Sequence, residues 1–253
     1  MTDWLYVDTH CHLDRYPDPR SILAGADRAR VVTIAVTESP SAFQRQAALM
    51  RGAARLRIAI GMHPLAAHRI SAVELSLFRR MIDRTDYVGE VGLDFSQHGR
   101  ATRDVQQVVF GTVLSHPEIK SKILTVHSRG AEAAVIDRLA AARTAAILHW
   151  YSGPIGLIKS AIDAGLFFSV NPAMLRSRKG RRIVEAIPPD RVLTETDGPY
   201  TKVGTRASEP SDVPAVISAL AERWSVSPEV AGERVYGNMI RLARSRLPHA
   251  PLR

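Results

Sequence analysis

The sequence predicts a closed (β/α)8 barrel, an α/β fold of the TIM-barrel type, and three observations support this class. Eight short, apolar, β-rich runs follow one another along the 253 residues, with helical patterns between most of them. The runs show little alternation of apolar and polar residues, which is typical of strands buried on both faces of a parallel sheet. A single barrel of this type needs about 250 residues. We therefore expect one domain over residues 1–253, although the same pattern also fits an open, doubly wound sheet.

The predicted strands follow the apolar runs in chain order. They are Trp4–His10, Val31–Val36, Leu56–His63, Tyr87–Asp94, Ile123–His127, Ala145–Trp150, Leu166–Asn171 and Arg191–Asp197. A repeated β-then-α unit with right-handed crossovers gives either an open sheet or a barrel, and a total of eight strands favours the barrel.

The predicted helices lie between the strands and after the last one, where helical spacing and cap residues occur. They are Ser41–Ala54, Ser71–Ile82, Thr102–Leu114, Ala131–Ala142, Pro154–Ala164, Val213–Trp224 and Pro228–Ser245. Residues 197–212 are rich in Gly, Pro and Ser, which indicates a long loop at the barrel mouth.

Composition narrows the class of protein. The hydrophobic fraction is 45%, which excludes a disordered chain, and no uncharged apolar run is long enough to span a membrane. Cys11 is the one cysteine, so an internal disulfide framework is excluded and a cytoplasmic location is expected. A net charge of +9 favours a polyanionic partner, although charge alone indicates attraction and not an activity.

The first strand carries a pair of histidines. His10 and His12 are two residues apart, so both imidazoles face the same side at the carboxyl end of the strand. This arrangement can chelate a metal ion, but it can also be a polar strand end with hydrogen-bonded histidines.

Other residues of the types that ligate metals also lie at or near the ends of predicted strands. Their positions favour the metal site over a polar strand end. Glu90 lies within an apolar strand, where a carboxylate needs a compensating cation or donor. In a barrel the carboxyl ends of all strands converge on one face. The sequence offers six such residues, more than one tetrahedral metal site needs. We therefore predict a two-metal centre with Glu90 as the bridging carboxylate. The six predicted metal ligands are His10, His12, Glu90, His127, His149 and Asp197.

Six ordered motifs resemble those of the TatD family of metal-dependent hydrolases. They are DTHCHLD, GMHP, GEVGLD, VHSRGA, LHWYSG and ETDGPY, which together span Asp8 to Tyr200. The resemblance implies a TIM barrel of the amidohydrolase superfamily and a metal-dependent deoxyribonuclease of the 3′-to-5′ exonuclease type. The chain is similar to divergent members, of a kind also found in bacterial anti-phage defence systems, which implies protein partners in such an assembly.

The same resemblance assigns roles to individual residues. It places one ion on His10, His12, Glu90 and Asp197, and the other on Glu90, His127 and His149. His63 and Arg129 match positions that contact substrate phosphate, and Asp94 matches a position near the substrate. Phe95 and the pair Trp150 and Tyr151 depart from the family pattern, which makes the substrate less certain than the metal site.

The residues themselves support a phosphodiester substrate. The guanidinium of Arg129 can bind phosphate through two parallel N–H donors. The basic run Leu175–Arg182 follows the seventh strand and reads equally as a phosphate groove or as a solvated helix face. We expect Trp150 and Tyr151 to stack on a terminal base. Cys11 faces away from its histidine neighbours and is expected to be a packed thiol.

The predicted mechanism is metal-assisted hydrolysis of single-stranded DNA by a monomer. Two divalent ions, Mg²⁺, Mn²⁺ or Zn²⁺, would polarise the phosphate and activate a water, and Asp197 and Glu90 are the predicted catalytic residues. Two alternatives stay open. The same centre could hydrolyse an amide, an ester or a lactone, including an aminoacyl-tRNA bond, or the chain could be a metal-binding subunit of a larger assembly.

Overall fold

All eight predicted strands are present, and they form the barrel. A computed structural model describes residues 5–246; Trp4, where the first strand was predicted to begin, lies outside them. Neighbouring strands pair in parallel within each sheet. The strands are β1 Tyr6–Cys11, β2 Val31–Ala35, β3 Leu56–Ile58, β4 Tyr87–Gly92, β5 Ile123–His127, β6 Ala145–Leu148, β7 Phe167–Val170 and β8 Val192–Thr194.

Two seams join the sheets into a ring. Strands β1 to β3 form one sheet and β4 to β8 form the other. At the first seam Ile60, just after β3, pairs in parallel with Val88 on β4. At the second, the N–H of Asp197 donates to the carbonyl of His10 at 2.8 Å. Because both edges of each sheet are joined, the predicted barrel class is confirmed.

Helices follow most of the strands and cover the outside of the barrel. They are α1 Pro19–Arg28, α2 Pro40–Leu49, α3 Ala72–Met81, α4 Arg103–Leu114, α5 Glu132–Ala142, α6 Ile158–Asp163, α7 Pro172–Arg176, α8 Arg178–Ala186, α9 Val213–Trp224 and α10 Pro228–Arg244. Of these, α1 was not predicted, whereas α7 and α8 overlap the basic run Leu175–Arg182, for which a helix face was one of two interpretations. None of the helices within residues 5–246 is both long enough and apolar enough to cross a membrane.

The strands are buried on both faces, as their unbroken apolar runs predict. Every residue of β2 and of β4 is buried. The main hydrophobic cluster joins strand residues such as Val88 and Phe168 to helix residues such as Phe110 and Leu220. Each such side chain contributes about 1.5–3 kcal/mol when fully buried. Cys11 is fully buried in a smaller cluster, as expected for a packed thiol.

Six strands, β2, β3, β4, β6, β7 and β8, end before their predicted last residue, and β3 and β8 are shortened most, for local reasons. After β3 the chain passes so close to its neighbour that a Cβ on Gly61 would lie 1.6 Å from the carbonyl oxygen of Thr37. After β8 the backbone turns, and Asp197 adopts the left-handed conformation with φ of +48°. The predicted mouth loop also contains a short antiparallel hairpin of β9 Lys202–Val203 and β10 Arg206–Ala207.

Candidate metal centre

The two histidines of the first strand project into the barrel mouth side by side. The Nε2 atoms of His10 and His12 lie 3.3 Å apart. On the far side of its ring, the Nδ1 of His10 lies 2.7 Å from the hydroxyl of Thr125 on β5. This contact fixes the ring so that Nε2 faces the centre of the site.

Glu90 lies at the middle of the site, and its two oxygens face different imidazoles. Oε2 lies 3.3 Å from Nε2 of His10, and 3.2 Å from Nε2 of both His12 and His63. Oε1 lies 2.8 Å from Nδ1 of His127 and 3.1 Å from Nε2 of His149. Because each oxygen has its own set of partners, the carboxylate can bridge two cations.

The charge of Glu90 is stabilised by these imidazoles although the residue is only 1% exposed. Burial on its own would raise the pKa of Glu90. The surrounding imidazoles, His63 first among them, outweigh burial and hold the pKa well below its usual range. Glu90 is therefore an anionic group in the centre of the barrel, suited to ligate a cation.

Asp197 completes the site from the opposite edge of the barrel. Its Oδ1 lies 3.7 Å from Nε2 of His10 and 3.6 Å from Nε2 of His12. Burial raises the pKa of Asp197 to about 7, against the opposing effect of nearby imidazoles. The left-handed backbone at this position is one that aspartate tolerates better than most residues.

Three overlapping sets of donor atoms lie close enough together to hold a metal ion. Within each set the atoms lie within 4.8 Å of one another. Imidazole nitrogens with carboxylate oxygens suit zinc and manganese, so the donor chemistry fits a divalent ion. The sets are His10, His12 and Asp197; His10, Glu90 and His149; and His63, Glu90 and His127.

His63 differs from the other histidines in its hydrogen bonding. Its Nδ1 accepts a bond from the backbone N–H of Leu65 at 3.1 Å. Nδ1 therefore carries no proton, and the proton of the ring lies on Nε2, the atom that faces Glu90. A protonated nitrogen donates and does not ligate, so this geometry suits His63 to binding an oxyanion better than to binding a metal.

Asp94 lies against His127, where it can orient the imidazole. Its Oδ2 lies 2.8 Å from Nε2 of His127, and its Oδ1 accepts from the N–H of Ser96 at 2.9 Å. Both oxygens are thus engaged within the protein, although Asp94 also lines the cavity at the barrel mouth. Its contact with substrate stays a prediction.

Glu195 is a buried carboxylate that sequence reasoning missed. It is fully buried, and its Oε1 accepts from the N–H of Trp150 at 3.0 Å and from the amide of Asn171 at 2.9 Å. Its Oε2 lies 3.6 Å from Nδ1 of His149. The available signal was its spacing two residues before Asp197, which repeats the pattern of His10 and His12.

Asp8 was also missed, and it fixes the backbone that carries Asp197. One of its oxygens accepts from the N–H groups of Thr196 and His10 at 2.9 and 3.2 Å. Burial raises the pKa of Asp8 to about 7. Asp8 therefore ties the first strand to the loop after the eighth.

A cavity of about 700 Å³ opens above the donor atoms. Its lining includes the predicted phosphate contacts His63 and Arg129, together with Arg69 and Lys179. Arg129 is exposed, and no carboxylate in the described part of the chain pairs with it. Within the basic run Leu175–Arg182 after β7, Lys179 is the residue that lines this cavity.

Two aromatic side chains line the same cavity, but they are not the predicted pair. Trp150 is 36% exposed and Tyr200 is 54% exposed in the cavity wall. The expectation for Tyr151 was wrong. It is 1% exposed, packs edge-on against Phe168, and donates its hydroxyl proton to the carbonyl of Pro154 at 2.7 Å.

Comparison with known proteins agrees with this geometry. The family model of TatD-related DNases matches residues 7–244. A protein of Mycobacterium tuberculosis named uncharacterized metal-dependent hydrolase TatD is 31% identical, over 88% of this chain and 92% of its own. The putative deoxyribonuclease tatdn3 of Danio rerio is 28% identical, over 94% and 96%.

Solved structures show the same fold. The TatD homologue YJJV of Escherichia coli superposes with a TM-score of 0.84 at 24% identity, over 94% of this chain and 97% of its own. The match of the family model over nearly the whole chain, with buried donor sets that can hold metal, confirms the resemblance drawn from the six motifs. The chain belongs to the TatD-related DNase family and is a metal-dependent hydrolase.

Proposed function

We propose that the protein is a deoxyribonuclease that hydrolyses phosphodiester bonds of single-stranded DNA, of the 3′-to-5′ exonuclease type. The observation that carries this proposal is the position of Glu90, whose two oxygens face separate imidazole groups under an open, cation-lined cavity. The name of the Danio rerio relative supports the same substrate class.

Two divalent ions, Mg²⁺, Mn²⁺ or Zn²⁺, are proposed to occupy the centre. One would be held by His10, His12, Glu90 and Asp197, and the other by Glu90, His127 and His149. When bound, such ions polarise the scissile phosphate and lower the pKa of water. His10, His12 and Asp197 form one of the close donor sets. Oε1 of Glu90 lies 2.8 Å from Nδ1 of His127 and 3.1 Å from Nε2 of His149, which supports the second group.

Asp197 is the proposed proton acceptor. Its carboxylate lines the cavity, 3.6 Å from Nε2 of His12, and the attacking water is proposed to lie beside it. It can therefore orient that water and take up its proton. Glu90 holds the surrounding imidazoles in place through its two oxygens.

His63 and Arg129 are proposed to bind the non-bridging phosphate oxygens. The Nε2 proton of His63 faces the cavity floor, and the guanidinium of Arg129 is free of an ion pair within residues 5–246. Both groups donate hydrogen bonds that strengthen as negative charge develops on the oxygens. Trp150 and Tyr200 lie where a base can stack, a contact worth about 1–3 kcal/mol per base.

The test is hydrolysis of labelled single-stranded oligonucleotides with each metal, beside esters and lactones under the same conditions. We expect stepwise release of nucleotides from the 3′ end, and no such release by His127→Ala or Asp197→Asn. Circular dichroism of both variants would check that they fold. If the metal-loaded wild-type protein cleaves no DNA but does cleave an ester, the proposal is wrong.

The sequence also predicts a monomer in the cytoplasm and a place in a defence assembly, and these stay predictions. The centre itself needs no residue from a second copy, since its donor atoms all come from one chain.

A further inference from the structure

A second cavity of about 570 Å³ lies next to the metal centre. Glu38, Ala66 and Arg69 line both cavities, so they form the wall between them. The rest of its lining comes from Asp14 and Arg15 after β1, from the start of α1, from α2 and the residue before it, and from Ile70 and Glu74 at the start of α3. A polymer bound at the metal centre would have to cross this wall to enter the second cavity, and Arg69 in the wall is exposed.

The wall of the second cavity contains a buried amide with no partner. Gln46 on α2 is 3% exposed, and neither atom of its side-chain amide has a hydrogen-bond partner among the described residues. Buried polar atoms are rarely left unpaired, so this amide keeps unused capacity to bind a group that enters the cavity. A rotation of the side chain toward the cavity would present one donor and one acceptor, the pair that matches the edge of a nucleobase.

Apolar groups lie beside this amide. Leu49 is 63% exposed at the end of α2 and lines the cavity with Met50 and Ala42. An exposed leucine next to a concave polar surface offers a flat apolar contact for the face of a ring. The combination of an apolar face with one amide suits a base better than it suits a bare phosphate.

Three carboxylates and three guanidiniums line the cavity, those of Asp14, Glu38 and Glu74 and those of Arg15, Arg45 and Arg69. The carboxylate of Glu38 pairs with Arg15 at 2.5 Å and with Arg69 at 3.5 Å. Glu74 accepts from the N–H of Ser41 at 3.0 Å. Arg45 is exposed on α2, and no carboxylate within residues 5–246 pairs with it. Its guanidinium is therefore available to a phosphate of the same nucleotide.

We propose that the second cavity binds the nucleotide next to the scissile phosphate. Its base lies against Leu49 and Met50 with its edge on the amide of Gln46, and its phosphate lies on Arg45. This proposal rests on the proposed nuclease function, because it assigns the path of the same substrate. In this proposal the single-stranded DNA passes over Arg69 and not over the basic face of α8, where Arg182 lies.

The experiment compares a substrate that reaches only the metal centre with one that reaches both cavities. Bis(p-nitrophenyl) phosphate is the first, and an octathymidylate is the second. Arg45→Ala and Gln46→Leu should each lower kcat/KM for the octamer about three- to tenfold and leave the small ester unchanged. Arg79→Ala, an exposed position on α3 that lines neither cavity, is the matched control, and Arg182→Ala tests the other path.

A binding measurement separates failure of this proposal from failure of the nuclease function. Anisotropy of a fluorescein-labelled octathymidylate is recorded with chelator present, so that no hydrolysis is needed. A three- to tenfold rise in Kd for Arg45→Ala and Gln46→Leu, and none for Arg79→Ala, supports the cavity even if the wild type cleaves no DNA. If both cavity variants keep the Kd and the kcat/KM of the wild type, the proposal is wrong. It is also wrong if only Arg182→Ala loses affinity and activity. Arg45 is exposed, so its variant keeps the test valid if Gln46→Leu folds poorly.

Discussion

Asp94 and Glu90 hold the ring of His127 from opposite sides. Oδ2 of Asp94 lies 2.8 Å from Nε2 of this imidazole, and Oε1 of Glu90 lies 2.8 Å from Nδ1. A carboxylate that accepts from one ring nitrogen fixes the proton there and leaves the lone pair of the other nitrogen for a metal. His127 is therefore prepared to ligate through Nδ1, with Asp94 as the positioning residue.

Replacing Asp94 by asparagine should weaken metal binding about 10- to 100-fold, because the ring loses the acceptor that fixes its proton. Competition with a chromophoric chelator measures this affinity independently of any activity. Asp104→Asn, at an exposed position on α4, is the matched control. Unchanged affinity in Asp94→Asn would show that Asp94 does not position the ligand.

Glu195→Gln should destabilise the folded protein. Oε1 of Glu195 accepts from Trp150 and Asn171, and Oε2 accepts from the hydroxyl of Ser169. A glutamine can keep its oxygen on Trp150 and Asn171, but its NH2 then faces Ser169, whose hydroxyl has to turn and accept. Losing this buried bond to a charged acceptor costs about 1–3 kcal/mol in the free energy of unfolding. Urea denaturation measures this loss. The exposed Glu185→Gln should match the wild type, and equal stability of the two variants would contradict the prediction.

Trp150 and Tyr151 should respond differently to alanine. Trp150 lines the cavity, so its removal should raise KM for oligonucleotides and leave the unfolding free energy nearly unchanged. Tyr151 is buried against Phe168, so its removal should cost about 3–5 kcal/mol of stability. Tyr151→Phe keeps the ring and should lose about 0.5–1.5 kcal/mol with the hydroxyl bond. The reverse order of stabilities would show that Tyr151, and not Trp150, faces the substrate.

Removing metal should lower the melting temperature. Glu90 and Asp197 are buried carboxylates that a bound cation would neutralise. An ion at 100 times its Kd adds about 2.7 kcal/mol to the unfolding free energy. Calorimetry with and without chelator measures the difference, which Glu90→Gln should reduce. A Tm that does not depend on metal would mean that no ion binds the folded centre tightly.

The sequence was sufficient for the barrel and for the cluster of ligand-type residues at its mouth. Parallel strands converge at their carboxyl ends, so residues such as His10 and His149 could be brought together by counting strands alone. The alternation of side chains along a strand predicted the wrong direction for a residue that lies beyond the end of its strand. β6 stops at Leu148 and Trp150 has a φ of +36°, so Tyr151 turns into the core instead of facing the site.

The contacts behind the ligands could not be predicted. The bond between Asp94 and His127 crosses between the ends of β4 and β5, and no spacing in the chain encodes its length or direction. The unpaired amide of Gln46 depends on how α2 packs, which is likewise invisible in a helical pattern. Composition and periodicity locate secondary structure, whereas these contacts depend on tertiary distances.

The seam between β1 and β8 has a consequence for biosynthesis. His10 comes from the first strand and Asp197 from just after the last, and a backbone hydrogen bond joins these two residues. A nascent chain that has not yet exposed residue 197 outside the ribosome lacks both the seam and one of the donors. The proposed metal centre is therefore complete only after the last strand has emerged, so we expect prematurely terminated translation products to lack metal-dependent nuclease activity.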